Sequence, residues 1–116
     1  MFSPMSRDQI RAHLTGPVAS VLTPFDIHGN IDFDSLRNFI DCSIAGGSQS
    51  LVLTVGNSLF SVLTDDEVAE LTRVVVEHTA RRAMVVAADR VWWTGKTVQF
   101  AQYVRDVGAD VLMVLP

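Results

Sequence analysis

The sequence has one cysteine, one tyrosine and one lysine in 116 residues, and each scarcity excludes some chemistry. Cys42 alone cannot form an internal disulfide or a cysteine-rich metal site. In its helical setting it is expected to be a buried structural thiol, because free cysteine is among the most buried residue types. His13, His28 and His78 are too scattered along the chain to suggest a metal site, so neither metal nor cofactor is expected. No apolar run approaches the ~18 residues of a membrane span. Met1-Phe2-Ser3-Pro4 lacks the charged and apolar segments of a secretory signal, which makes the cytoplasm the expected location. A formal charge of −4 argues against nucleic acid or an anionic membrane surface as partner.

What is present is apolar residues, 48% of the total against 19% charged, which predicts a globular fold. At this length the chain is one domain or part of one. A short helix over residues 6–14, with Ser6 as cap, stops at Gly16-Pro17. Residues 18–22 form a first strand that ends at Thr23-Pro24-Phe25, followed by a turn around His28-Gly29-Asn30. Asp32 caps a helix with Phe33, Leu36, Phe39, Ile40 and Ile44 at helical period, closed by Gly46-Gly47. Further strands are expected at residues 51–55, 83–88 and 111–115. Between them lie helices that start at Thr64 and near Thr94, the second ending at Gly108. Strand and helix alternate, which predicts α/β architecture with a parallel sheet and right-handed crossovers.

The chain is organised around residues 50–67. A short β-branched run reaches Val55, and Thr64 and Glu67 have the spacing of a capping box, with Asp65 and Asp66 in the dipole-favoured first turn. Between them stands Gly56-Asn57-Ser58, small and polar, at the strand-to-helix position where parallel α/β proteins build sites. A polar turn between two apolar stretches has little packing purpose, so Gly56, Asn57 and Ser58 are the first substrate-binding candidates. Thr23 and Asp89 follow the first and third strands on the same face and complete the set. Arg90 beside Asp89 leaves a salt-bridged loop as the plainer reading. Lys96, in the first turn of its helix, is expected in solvent, and Tyr103, mid-helix, in packing. Trp92 and Trp93, being adjacent, must point differently, and one of them is suited to a subunit contact.

Several stretches together resemble one family. Pro17-Val18-Ala19-Ser20-Val21-Leu22-Thr23-Pro24-Phe25 and Gly29-Asn30-Ile31-Asp32-Phe33 are similar to the opening of the dihydrodipicolinate synthase and N-acetylneuraminate lyase family. So are the Gly46-Gly47 exit, the run Leu59-Phe60-Ser61-Val62-Leu63-Thr64, and Val107-Gly108-Ala109-Asp110 leading into the last strand. The resemblance implies a (β/α)₈ barrel, and a class I aldolase or lyase acting on pyruvate-like 2-oxo acids through a lysine Schiff base. It also places Gly56 and Asn57 where the family has two threonines that hold the substrate carboxylate, with Ser58 one position further on.

The family's catalytic tyrosine and lysine lie on the fifth and sixth strands, whereas this chain ends on its fourth. The expectation is therefore about half a barrel: a short N-terminal helix, then four strands and three helices. Residues 1–116 are expected to be the N-terminal part of a single (β/α)₈ barrel domain truncated after the fourth strand, with no catalytic residue assigned. A small 2-oxo acid is the expected ligand if a longer chain completes the site, and self-association is expected from the exposed strand edges. Two alternatives stand beside this one. The first is a non-catalytic half-barrel that docks a partner. The second is a signalling receiver with Asp89 as phospho-acceptor, against which stands Thr23-Pro24-Phe25 in place of the acidic pair that would bind Mg²⁺.

Overall fold

Ser6 and Thr64 open helices for the same physical reason. In the structure, a computed structural model describing residues 5–115 without the side chain of Asn57, each hydroxyl accepts the amide three residues on. The side chain of that residue, Gln9 or Glu67, accepts the cap's own amide in return, so two orphan donors are satisfied reciprocally. The helices so started are α1 (Arg7–His13) and, across the second crossover, α3 (Asp65–Thr79). Asp32 caps α2 (Phe33–Ala45) by accepting both the amide and the hydroxyl of Ser35. The last helix, α4 (Thr94–Val107), exits through Gly108 at φ +103°, a left-handed turn that glycine makes without steric cost. The sequence reading of residues 1–4 lies outside the described residues.

Four strands, β1 (Val18–Ser20), β2 (Ser50–Val52), β3 (Met84–Ala88) and β4 (Val111–Met113), pair in parallel in the order β1-β2-β3-β4. Ala19 lies opposite Leu51 and Leu51 opposite Val85, while Val86 lies opposite Val111. Each expected strand is present, and three are shorter at the C-terminal end. Two of these keep one more ladder bond, Val21 N–H to the Val52 carbonyl (2.9 Å) and Leu53 N–H to the Val86 carbonyl (3.0 Å). Pairing then stops where Thr54 turns left-handed at φ +51°. Consecutive strands joined edge to edge are the order of a (β/α) barrel. A doubly wound receiver reverses strand order at its switch point, so that alternative is excluded.

Alternation along the strands sets which face is covered. Ala19 and Val21, Leu51 and Leu53, and Val85 and Ala87 turn toward the helices and join Leu36, Ile40, Val68, Leu71 and Phe100 in one core. The other face carries Val18, Leu22 and Met113, which remain 43%, 43% and 36% exposed. Ser50 donates to the His13 carbonyl (2.9 Å) and holds α1 at the N-terminal end of the sheet.

One expectation is corrected on α2. Cys42 is exposed rather than buried, because α2 buries the stripe through Leu36 and Ile40. Two residues on from Ile40 is about 200° around the helix, which points Cys42 away from the sheet. Its neighbour Asp41 instead ties α2 to α3, accepting from His78 and Arg82 (both 2.9 Å), and the Arg82 hydrogen bond holds its carboxyl below the usual carboxylate range. Arg82 also donates to the carbonyls of His78 and Thr79, the orphan acceptors at the end of α3. Among the described residues no helix is long and apolar enough to cross a membrane, and no group of three or more His, Cys, Asp or Glu could hold a metal ion.

Candidate functional site

The C-terminal ends of β1, β2 and β3 carry Thr23, the Gly56-Asn57-Ser58 turn and Asp89 in adjacent positions. The turn is more elaborate than a single loop. After Thr54 the backbone turns left-handed again at Gly56 (φ +54°), makes a 3-10 turn over Gly56–Ser58, passes through Leu59 at φ +59°, and makes a second over Phe60–Val62. Thr54 and Leu59 are non-glycine residues in the left-handed region, a conformation that costs of order 1–3 kcal/mol and concentrates at functional sites. The Thr54 hydroxyl donates to the Ala88 carbonyl (3.3 Å) and so ties the turn to β3.

Ser58 is completely buried, yet its hydroxyl has no hydrogen-bond partner among the described residues. The Thr23 hydroxyl, in a residue 6% exposed, is likewise unpartnered. Leaving a buried hydroxyl unsatisfied costs about 1–3 kcal/mol, so two such groups at one end of the sheet are significant. Thr23 lines a largely apolar cavity of about 380 Å³ together with Leu22, Pro24, Ser35, Phe39 and Leu59. Another buried hydroxyl without a partner among the described residues, that of Thr79, lies at the far end of α3 and belongs to no such arrangement. The side chain of Asn57 lies outside the described residues, so its role in the turn stays a sequence expectation.

Asp89 is almost fully buried and has both oxygens occupied. One accepts from the Thr97 hydroxyl (3.1 Å), the other from the Leu115 amide (2.8 Å), which knits the start of α4 to the end of β4. It faces a separate cavity of about 280 Å³ shared with Arg90, Thr97, Val98 and Val114. The structure thus places Thr23, Ser58 and Asp89 on one end of the sheet, but Thr23 and Asp89 line different cavities.

Sequence reasoning missed the charge cluster beside this end. Asp65, read as a dipole-matching residue of the first turn, accepts from Arg90 and from the Trp92 indole (3.2 Å each) and from Lys96. The Lys96 hydrogen bond is the main cause that holds the Asp65 carboxyl below its usual range, against partial desolvation. Lys96 is therefore not free in solvent as expected: its ammonium pairs with Asp65 and lies 5.2 Å from the centre of the Trp92 ring. Arg90 also donates to the Leu63 carbonyl (2.6 Å), which makes the loop after β3 the salt-bridged connector of the plainer reading. Trp92 meets Phe100 edge-on at 5.1 Å, whereas Trp93 is 72% exposed. Tyr103 packs beside Phe100 and donates to the Ala69 carbonyl (2.8 Å); burial raises its phenol above the ordinary value. No signal in the sequence could show these partners, because they come from segments 25 to 31 residues apart.

Comparison with known proteins agrees with the fold. The Dihydrodipicolinate synthetase family profile matches residues 13–116. The 4-hydroxy-tetrahydrodipicolinate synthase of Herminiimonas arsenicoxydans is 35% identical over 104 residues, which are 89% of this chain and 36% of that protein. The dihydrodipicolinate synthase of Bacillus clausii superposes with a TM-score of 0.84 at 26% identity, over 90% of this chain and 36% of the other. A prophage protein of the dihydrodipicolinic acid synthase family from E. coli K12, solved in complex with pyruvate, superposes with a TM-score of 0.79 at 26% identity, over 84% and 33% of the two chains. The chain thus spans about a third of the length of the relatives it matches. Strand order and family profile converge on one conclusion: this chain belongs to the dihydrodipicolinate synthetase family, whose (β/α) barrel architecture its four parallel units share.

Proposed function

We propose that this chain supplies the carboxylate-binding part of a lyase site for pyruvate-like 2-oxo acids, and that the imine chemistry of such a site lies outside its residues. The observation that carries the proposal is the fully buried Ser58 hydroxyl with no partner among the described residues, set in a turn flanked by left-handed residues at the C-terminal end of β2. A hydroxyl donor beside a turn of alternating handedness, whose successive N–H groups can form an anion-binding concavity, suits a carboxylate. The pyruvate complex of the E. coli prophage protein adds support from within the family. Thr23 would border the same ligand from β1, and Asp89 would hold the rim of the site rather than touch the substrate, since both its oxygens are engaged.

Imine formation needs a lysine amine, neutral and at the substrate carbonyl. Lys96 is committed to Asp65 within the helical layer, so the 116 residues bind without reacting. That observation also favours the second reading, a non-catalytic half-barrel module, for the chain by itself. Pyruvate titrations of the chain and of Ser58→Ala, followed by NMR, test the proposal. Losing one hydrogen bond to a charged ligand should cost about 1.5–3 kcal/mol, so the Ala variant should bind at least about tenfold more weakly. Equal affinity would reduce the turn to a connector.

A further inference from the structure

The turn that carries Ser58 leaves β2, and β2 and β3 are the strands with a paired neighbour on both sides. Two of its backbone bonds are local: Ser58 N–H to the Val55 carbonyl and Val62 N–H to the Leu59 carbonyl, both 3.1 Å. Bonds of this 3-10 type set the shape of each short turn and leave its position over the sheet to other contacts. Two such contacts come from the end of β3. At the near end the buried Thr54, left-handed at φ +51°, donates its hydroxyl to the Ala88 carbonyl (3.3 Å). At the far end Arg90, its side chain 20% exposed, donates to the Leu63 carbonyl (2.6 Å) and to Asp65 (3.2 Å). Residues 54–63 are thus pinned at both ends to one short piece of chain, Ala88 to Arg90.

We propose that Thr54 and Arg90 are positioning residues, a two-point clamp from the end of β3 that aims the Ser58 hydroxyl at the ligand. The inference rests on Ser58 being the carboxylate donor of the site. Neither clamp residue needs to touch the ligand: the one hydroxyl proton of Thr54 goes to Ala88, and the Arg90 guanidinium is engaged by Leu63 and Asp65. A guanidinium bond to a carbonyl is charge-assisted, roughly twice as strong as a neutral one, which suits Arg90 to hold the far end. A left-handed β-branched residue persists only where its surroundings over-determine it, and the Ala88 bond is one such restraint. Once a restraint is lost, the strained backbone has reason to relax, and Ser58 moves with it.

Pyruvate titrations followed by NMR test this in a double-mutant cycle. Thr54→Val keeps the branched shape and removes the donor; Arg90→Met keeps an aliphatic stem and removes the guanidinium. Each should weaken binding about tenfold in the wild-type background and less than about twofold beside Ser58→Ala, because the clamp acts through that hydroxyl. A merely structural role would lower affinity equally in both backgrounds. Thr54→Ser, which keeps the hydroxyl, should bind as the wild-type chain does. Amide hydrogen exchange reads the clamp without ligand: Ser58 and Val62 should exchange about tenfold faster in Thr54→Val and Arg90→Met, while Val75 of α3 keeps its rate. A wild-type chain that binds no pyruvate would overturn the carboxylate reading, and the exchange rates would still decide the clamp. Wild-type affinity in both variants, equal losses in both backgrounds, or unchanged exchange at Ser58 would each overturn the proposal.

Discussion

Asp65 draws Arg90, Trp92 and Lys96 onto one carboxylate, so the chain's single lysine is engaged in an ion pair. Its carboxyl is held below the usual range chiefly by Lys96. The sign follows directly: a group whose folded pKa is depressed contributes stability above its unfolded pKa of about 3.9, and that contribution is lost as pH falls through the lower folded value. Because Asp65 is 41% exposed, solvent screening keeps the effect small. An NMR titration of the Asp65 carboxyl carbon should find its midpoint below that of a model peptide, and Lys96→Met should move it upward. A midpoint unmoved by Lys96→Met would mean that the ion pair does not form in solution. Ser58 belongs to the same scale. Its place between apolar stretches made it a candidate in the sequence, but the unpartnered hydroxyl required the buried environment that only the fold provides.

The helix caps were readable because they are local: Thr64 and Glu67 are three residues apart, and their reciprocal bonds (3.1 and 2.8 Å) need no tertiary partner. Thr64→Ala should therefore destabilise the fold by about 1 kcal/mol. For a domain of this size that is a fall in melting temperature of about 4 °C, measurable by circular dichroism. An unchanged melting temperature would show that α3 is held by packing alone. Strand existence was legible from β-branched runs, and strand ends were not. The positive φ of Thr54 is a backbone state that a β-branched residue avoids, so nothing in its identity announces it. Cys42 shows the same limit from the other side. Its type favours burial, but the Leu36–Ile40 stripe, fixed by what α2 packs against, decides otherwise.

At the scale of the molecule, four parallel strands in sequential order and a family profile over residues 13–116 place this chain in the dihydrodipicolinate synthetase family, with a span of about a third of its relatives' length. The alternation of strands and helices made the architecture legible in the sequence. Which of the candidate side chains are already engaged was not, because that depends on tertiary partners. Asp89 is spent on Thr97 and Leu115, Lys96 on Asp65, and Ser58 is left over. The central claim is that these 116 residues hold the carboxylate end of a 2-oxo-acid site without an amine to form its imine. Reductive trapping tests it most directly: the chain is incubated with pyruvate and borohydride and its intact mass is measured. The mass should remain that of the unmodified chain, whereas a stoichiometric reduced adduct on Lys96 would contradict both the placement of that lysine and the claim.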